Sequence, residues 1–353
     1  MGRFSPGVIC RHARVTTFDT PVGEGAQLFM HAIRCEAGTA ASGTPPLVLV
    51  PGYGAGSAFF WRNLGPLATE SARTVFAVDW LGAGLSGRPA FTPTGHDAAV
   101  SWFISSLEAW RQHNAIPRFA LVGHSLGGYL ACRYALAYPE QVTHLVLVSP
   151  AGMAARNGPP PDGLLYKAIA GAWNAGVTPH GVFRFLGPFA EGRAQTYASR
   201  RFHEGDGLNA AEESAFARYL HHTLSGRGSA EYALPHVLAP GAWAKQPLLD
   251  AMRSLSVPHI TFVYGARDWM DWRSGAEAVD LLHSSGKGIA AELVRIPNAG
   301  HYPYIANPAA FHAAIGAVLQ RGSVEGGAQR AVGGSPDELQ RGGDAHVESL
   351  LGA

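Results

Sequence analysis

The chain has 353 residues, of which 47% are hydrophobic, and this is enough apolar material for one large core or two modest ones. The formal net charge of +1 shows no imbalance of the kind that favours nucleic-acid binding, so we expect no nucleic-acid partner. Three cysteines, Cys10, Cys35 and Cys132, are odd in number and far apart, which argues against a disulfide framework or a zinc site and favours a reducing compartment.

The start of the chain, Met1-Gly-Arg-Phe-Ser-Pro, lacks the apolar region of a secretory signal peptide. Pro6 stands where a myristoylation motif needs serine or threonine. Arg3, Arg11 and Arg14 precede the first acidic residue, which leaves organelle targeting by a transit peptide open. No apolar run approaches the length that spans a bilayer. We therefore expect a cytoplasmic protein that is at most peripheral to membranes, with organelle targeting as the alternative.

Short apolar runs alternate with segments of helical length along most of the chain. The predicted strands are 47–50, 74–79, 119–122, 145–148, 260–264 and 293–296, and the predicted helices are 57–70, 97–113, 126–138, 276–283 and 309–319. Residues 14–18 and 27–33 are predicted to add antiparallel edge strands. Fully apolar strands between helices indicate an α/β fold with a mostly parallel sheet covered on both faces.

Residues 151–256 interrupt this alternation. They lack strand signals and are rich in glycine, proline, arginine and aromatic residues. An insertion of this size predicts a helical cap over the carboxyl ends of the strands, on a core formed by residues 1–150 and 257–321. Most of its aromatic side chains are expected to form the cap's own small core. Residues 322–353 are rich in glycine, alanine and charged residues, which predicts a disordered tail.

The most informative segment is LVGHSLGGYLACRYAL, residues 121–136, where a predicted strand passes directly into a predicted helix. Such a turn strains the residue at its apex and crowds the residues two before and two after it. Gly123 and Gly127 lack the Cβ atoms that would collide there, and Ser125 is the apex. This G-x-S-x-G pattern predicts a nucleophile elbow, and the alternative is a glycine-rich loop with an idle serine.

A nucleophilic serine needs a base, and the base needs an acid that orients it. After an elbow the expected chain order is serine, acid, histidine. Asp268 follows the predicted strand 260–264 and is the candidate acid, with Asp271 as the alternative. His301 follows the last predicted strand and a glycine turn, which makes it the candidate base among 16 histidines.

The tetrahedral oxyanion of acyl transfer needs two N–H donors. One is expected at the helix start, from Leu126, and the other from Tyr53, in the loop after strand 47–50. Gly52 and Gly54 give that loop the freedom to turn the Tyr53 N–H inward, although an ordinary tight turn would use the same glycines. His124 is interpreted as structural packing, because neighbouring side chains point apart on so tight a turn.

The elbow and five further segments resemble the α/β-hydrolase-domain 4/5 subfamily: VLVPGYGAGSAFFWRNLGPLA, VFAVDWLGAGLSGRP, SWFISSLEAWRQ, VYGARDWMDW and NAGHYPYIANP. The resemblance covers roughly residues 45–155 and 258–312, while the cap matches poorly. Plant and fungal members of this subfamily include cardiolipin- and lysophospholipid-acting enzymes. The resemblance therefore implies an α/β-hydrolase fold, glycerophospholipid substrates and a membrane-facing cap.

Two positions depart from the subfamily pattern. Pro51 replaces the histidine that usually precedes the oxyanion-loop glycine, and this puts the geometry of that loop in question. Some members carry a His-x4-Asp pattern that has been linked to lysophosphatidate acyl transfer, whereas here Ala306 stands five positions after His301. The second departure weighs against acyl transfer. The presence of Ser125 weighs against relatives that have lost the serine and act only as lipase coactivators.

We therefore predict a serine hydrolase of acyl-glycerolipid esters, a phospholipase or lysophospholipase that needs no metal or organic cofactor. Three alternatives remain: acyl transfer to a lysophospholipid, a lipid-droplet or membrane adaptor with little activity of its own, and a hydrolase of small esters or carbon–carbon bonds.

The expected partners are the acyl-glycerolipid substrate and an anionic membrane or lipid-droplet surface. Arginines of the cap are expected to pair with lipid phosphates while aromatic rings enter the headgroup region, although a solvated basic cap would have the same composition. The arginines concerned are Arg184, Arg193, Arg200, Arg201, Arg218 and Arg227.

Overall fold

The computed structural model describes residues 13–38, 43–156, 158, 162–202 and 208–321, so that Cys10 and the predicted tail at 322–353 lie outside the described residues. The strands are β1 (Ala13–Pro21), β2 (Phe29–Ala37), β3 (Leu47–Val50), β4 (Val75–Val78), β5 (Phe119–His124), β6 (Val142–Val148), β7 (Leu238–Ala239), β8 (Trp243–Ala244), β9 (His259–Gly265) and β10 (Ala290–Ile296).

The helices of the first half are α1 (Leu64–Ser71), α2 (His96–His113), α3 (Leu126–Ala137), α4 (Leu164–Asn174), α5 (Pro179–Phe185) and α6 (Ala190–Phe202). They are followed by α7 (Ala210–Ser225), α8 (Leu234–Val237), α9 (Leu248–Met252), α10 (Trp272–Ser284), α11 (Pro303–Ala306) and α12 (Pro308–Arg321).

Eight strands form one sheet in the order β1-β2-β4-β3-β5-β6-β9-β10. The six neighbouring strands β4, β3, β5, β6, β9 and β10 pair in parallel. Strand β2 is antiparallel to both β1 and β4. The predicted mostly parallel α/β sheet is therefore confirmed. Only one of the two predicted edge strands lies at the edge, because β2 is sandwiched between β1 and β4.

Alternating side chains of the central strands build two apolar clusters, one on each face of the sheet. In β3, Val48 and Val50 belong to one cluster and Leu47 and Leu49 to the other, and all four are fully buried. Because both faces are covered by helices, the strands carry no polar face, which is why they read as continuous apolar runs. Cys132 lies fully buried in the first cluster.

Two predicted elements differ from the structure. The single helix expected over 57–70 is a 3-10 turn, Ser57–Phe60, followed by α1. The chain bends between them because the Ser57 N–H is held by the buried Asp79 carboxylate and the Asn63 side chain donates to the Tyr304 carbonyl. Within residues 151–256, which lack strand signals, β7 and β8 form a two-residue antiparallel ribbon.

The segment between β6 and β9 has two parts with different packing. Helices α4 to α7 lie in its first part, and α6 and α7 pack against each other. From residue 233 onward, apolar side chains such as Leu234, Leu248 and Met252 are buried in the first core cluster. Side chains of the first part, among them Phe216 and Leu220, are buried in the second core cluster, and the predicted cap over residues 151–256 stays a prediction.

Candidate active site

Ser125 lies at the turn between β5 and α3. Its φ of 54° and ψ of −121° are strained for a residue with a side chain, and its N–H donates to the Val148 carbonyl of the neighbouring strand at 2.9 Å. A Cβ at Gly123 would lie 2.4 Å from the Gly127 carbonyl oxygen, and one at Gly127 would lie 2.3 Å from that of Pro51. The two glycines that the motif predicts are therefore positions where no side chain fits.

The three residues predicted as a triad are brought together by hydrogen bonds. His301 Nε2 lies 3.1 Å from Ser125 Oγ, and His301 Nδ1 lies 3.1 Å from Asp268 Oδ1. Ser125, Asp268 and His301 follow β5, β9 and β10, whose carboxyl ends share one edge of the parallel sheet. With the Nδ1 proton directed at the carboxylate, Nε2 carries the lone pair that faces the serine hydroxyl.

The Asp268 side chain is only 1% exposed. Burial by itself would raise its pKa, but the charge of His301 and hydrogen bonds from the His301 ring and the Met270 N–H outweigh burial and hold the pKa below its usual value. The carboxylate therefore stays ionised at neutral pH and can stabilise a positively charged imidazole beside it.

Asp271, the alternative acid, lies elsewhere. Its side chain is 59% exposed, caps the start of α10 by accepting from the Arg273 N–H at 3.0 Å, and pairs with the Arg273 guanidinium. The structure brings Asp268, and not Asp271, to His301.

The two predicted oxyanion donors flank the elbow. Leu126 opens α3, where the first N–H groups of a helix have no partner within the helix. The loop that carries Tyr53 packs directly on the elbow, since a Cβ at Gly52 would lie 2.9 Å from Ser125 Cβ. Pro51 fits this arrangement, because its carbonyl accepts from the Trp80 indole at 3.0 Å.

His124 does pack beside the site, and it also forms polar contacts that the sequence analysis missed. Its Nε2 donates to the His301 carbonyl at 2.8 Å, and its Nδ1 accepts from the Tyr304 hydroxyl at 3.2 Å. These bonds link the residue before the nucleophile to the backbone of the candidate base. The one feature of the sequence that could have indicated these contacts is the position of His124 directly before Ser125.

Two further side chains lie near the site, and the sequence gives little indication of either. The Trp269 ring lies 5.0 Å from the His301 ring, centroid to centroid, and its position next to Asp268 could have indicated this. His180 of α5 lies 2.7 Å from the Tyr53 hydroxyl, and nothing in the sequence separates it from the other histidines. Within the described residues, no three His, Cys, Asp or Glu side chains converge as metal ligands.

This geometry suits acyl transfer through serine. A hydroxyl faces an imidazole nitrogen, the imidazole is oriented by a buried carboxylate, and the loop after β3 and the start of α3 both adjoin the elbow. The substrate for such a site is a carbonyl carbon with a leaving group, as in an ester.

Residues 45–308 match the model of the alpha/beta hydrolase fold family. The chain is 38% identical over 281 residues to a probable 1-acylglycerol-3-phosphate O-acyltransferase of Oryza sativa subsp. japonica, in a match that covers 77% of this chain and 66% of the rice protein. The chain thus spans just under two thirds of the length of that relative.

It is also 32% identical to the (lyso)-N-acylphosphatidylethanolamine lipase of Bos taurus, over 76% of this chain and 78% of the bovine protein. Among solved structures, the 2-hydroxy-6-oxo-6-phenylhexa-2,4-dienoate hydrolase of Rhodococcus sp. strain RHA1 superimposes with a TM-score of 0.62 at 18% identity, over 88% of this chain and 99% of that one. At this identity the likeness concerns the fold alone.

Proposed function

Because the chain belongs to the alpha/beta hydrolase fold family, we propose that it is a serine hydrolase that cleaves acyl esters of glycerophospholipids or lysophospholipids. The observation that carries the proposal is the line of hydrogen bonds from Asp268 through His301 to Ser125. The names of the rice and bovine relatives both describe action on acyl lipids, which supports a lipid ester as the substrate.

The reaction would proceed in two halves. His301 Nε2 takes the proton of Ser125 Oγ as that oxygen attacks the ester carbonyl, and Asp268 stabilises the imidazolium. The Tyr53 and Leu126 N–H groups stabilise the oxyanion, which collapses to an acyl-serine as His301 returns its proton to the leaving alcohol. Water, activated by the same imidazole, then releases the fatty acid and restores Ser125.

Acyl transfer is the second candidate, since the rice relative is named an acyltransferase. In that case an acyl-CoA thioester would supply the acyl group and its thiol would leave in the first half, and a lysophospholipid hydroxyl would replace water as the acceptor in the second half. The position five after His301 is Ala306, which ends α11, so the acidic residue of the His-x4-Asp pattern is missing here. We therefore place hydrolysis first.

A product assay separates these candidates. The purified protein is incubated with a diacyl phospholipid, a lysophospholipid and a short-chain ester, each with and without a long-chain acyl-CoA, and a fluorophosphonate probe reports the state of Ser125. Hydrolysis predicts fatty acid release from the lipids that is independent of acyl-CoA. A diacyl product that forms only with acyl-CoA and lysophospholipid would favour transfer. An absence of both labelling and turnover would favour an adaptor.

The proposed site of lipid contact is the cap. Four large apolar side chains of α4, α5 and the following turn point into solvent: Leu164 is 86% exposed, Leu165 66%, Phe185 91% and Phe189 77%. Such exposure is unusual on a protein that meets only water. Within the described residues, no helix combines the length and the apolar character that crossing a bilayer requires.

The structure corrects the predicted arginine set at one position and leaves another untested. Arg184 is half-buried and pairs with the buried Glu231 at 2.7 Å, so it is committed inside the protein. The side chain of Arg201 lies outside the described residues. The exposed members of the set are Arg193, Arg200, Arg218 and Arg227. They would add electrostatic attraction to anionic headgroups beside the apolar residues.

We expect the protein to cosediment with vesicles that contain anionic phospholipid, and to do so less as salt screens the charges. The double variant Phe185→Ser/Phe189→Ser should bind on the order of a hundredfold more weakly or worse, because the two rings together lose about 3–6 kcal/mol of apolar burial. Leu85→Ser is the matched control, since Leu85 is 54% exposed but lies outside the cap. Protein that stays in the supernatant at low salt would contradict docking through the cap.

A further inference from the structure

The loop that carries the candidate oxyanion donor Tyr53 is enclosed between the elbow and the cap. On one side Gly52 lies against Ser125, as described above. On the other side the Tyr53 hydroxyl lies 2.7 Å from Nδ1 of His180 in α5, and the two rings meet edge to face with centroids 4.7 Å apart. A single residue thus connects the nucleophile region with a cap helix.

Burial keeps both groups of this contact neutral. His180 is only 8% exposed, and desolvation lowers its pKa to about 4, so the imidazole is neutral at neutral pH. Burial also raises the pKa of Tyr53, so the phenol keeps its proton. A neutral phenol and a neutral imidazole are thus joined by one hydrogen bond, in which the hydroxyl can donate to the Nδ1 lone pair.

His180 is itself held in place. Thr178 caps α5 by accepting from the Gly181 N–H at 3.0 Å. One turn after His180, Arg184 pairs with Glu231 at 2.7 Å, and Glu231 lies next to the part of the chain that packs into the sheet core. The helix that carries His180 is thus capped at its start and tied near its end, through Arg184, to Glu231.

A second cap helix contacts the same loop. The Tyr219 hydroxyl of α7 leaves no room for a Cβ at Gly56, where it would lie 2.1 Å away. The Phe216 ring, also in α7, packs on Phe59 with centroids 4.6 Å apart. The outer surface of the loop is therefore covered by the cap, and His180 hydrogen-bonds the side chain of the candidate donor itself.

We propose that His180 is a positioning residue that, by holding the Tyr53 side chain, keeps the Tyr53 N–H directed at the oxyanion. The inference rests on the proposed function, since it needs a reaction that develops an oxyanion beside Ser125. His180 does not touch the substrate in this scheme. Its contribution appears only in the transition state, because the donor it positions is aimed at charge that the ester substrate does not yet carry.

The test compares kcat and KM on a soluble short-chain ester for the wild type, Tyr53→Phe, His180→Ala and the double variant. Tyr53→Phe removes one oxygen and keeps the ring packing, so it is the sharper probe. Loss of an oxyanion donor costs about 10²–10³-fold in kcat, and a misdirected donor should cost part of this, on the order of tenfold or more. We expect kcat to fall in both single variants with KM changed less than about threefold, and the double variant to be no worse than the worse single one.

Two further variants separate positioning from folding. His180→Asn can place a carbonyl oxygen near the Nδ1 position and should recover part of the activity lost in His180→Ala. Val182→Ala, on the same helix at a residue 42% exposed, should match the wild type. Thermal unfolding is recorded for every variant.

The outcomes are distinct for the two proposals. If the wild type neither turns over esters nor labels with a fluorophosphonate, the proposed function fails and the inference fails with it. If the wild type is active but Tyr53→Phe keeps kcat within twofold, the positioning role is wrong and the hydrolase proposal stands. The same holds if the double variant shows the product of the two single losses, because independent effects would mean that the two residues do not act through one bond.

Discussion

Replacing Ser125 by alanine is expected to abolish ester turnover, with a loss on the order of 10⁴-fold or more, because the members of a catalytic triad act as a unit. The Oγ atom removed is the one that lies 3.1 Å from His301 Nε2. Without it, the imidazole has no hydroxyl to deprotonate and no acyl-enzyme can form. The measurement is the initial rate on a short-chain ester, together with loss of fluorophosphonate labelling.

The fold should survive this change. The strained backbone of Ser125 is imposed by the turn and does not depend on its side chain. The hydrogen bond from the Ser125 N–H to the Val148 carbonyl and the glycines on either side fix this turn. Alanine has the same Cβ and the same preference against positive φ, so we expect a thermal midpoint close to that of the wild type. A folded Ser125→Ala protein that keeps more than about a tenth of the activity would exclude Ser125 as the nucleophile.

The arrangement of Ser125, Asp268 and His301 could be predicted because the topology of the sheet determines where these residues meet. Each follows an apolar strand, and in a parallel sheet all strands end at the same edge. Residues more than a hundred positions apart therefore meet, and local sequence patterns are enough to predict that they do. The family relationship, which the motifs in the core indicated, is also confirmed.

The cap could not be predicted in the same way. Its helices have no common edge that fixes where their side chains meet, so neither the His180–Tyr53 bond nor the Arg184–Glu231 pair follows from a pattern. Arg184 looked like a surface residue because arginines usually are. The bend that divides the predicted helix 57–70 has a similar origin, since it depends on Asp79 and on other distant groups.

The choice of acid gives the second large expected effect. Asp268→Asn should lower kcat on the order of 10⁴-fold, because the amide cannot stabilise the imidazolium and can hold His301 in the wrong tautomer. The carboxylate is nearly fully buried and accepts from both the His301 ring and the Met270 N–H through one oxygen. Because the carboxylate is buried, solvent cannot take over its role beside the imidazolium. Rates are measured on the same short-chain ester.

Asp271→Asn is the matched control, and the chain makes it a favourable one. Asp271 caps α10, and asparagine is about as good as aspartate at a helix N-cap, so the variant should keep both the helix and the activity within about twofold. Both substitutions convert a carboxylate of the same loop to an amide. They differ in that the Asp268 carboxylate contacts His301 and the Asp271 carboxylate does not. A larger loss in Asp271→Asn than in Asp268→Asn would move the acid to Asp271 and would require the loop to rearrange when substrate binds.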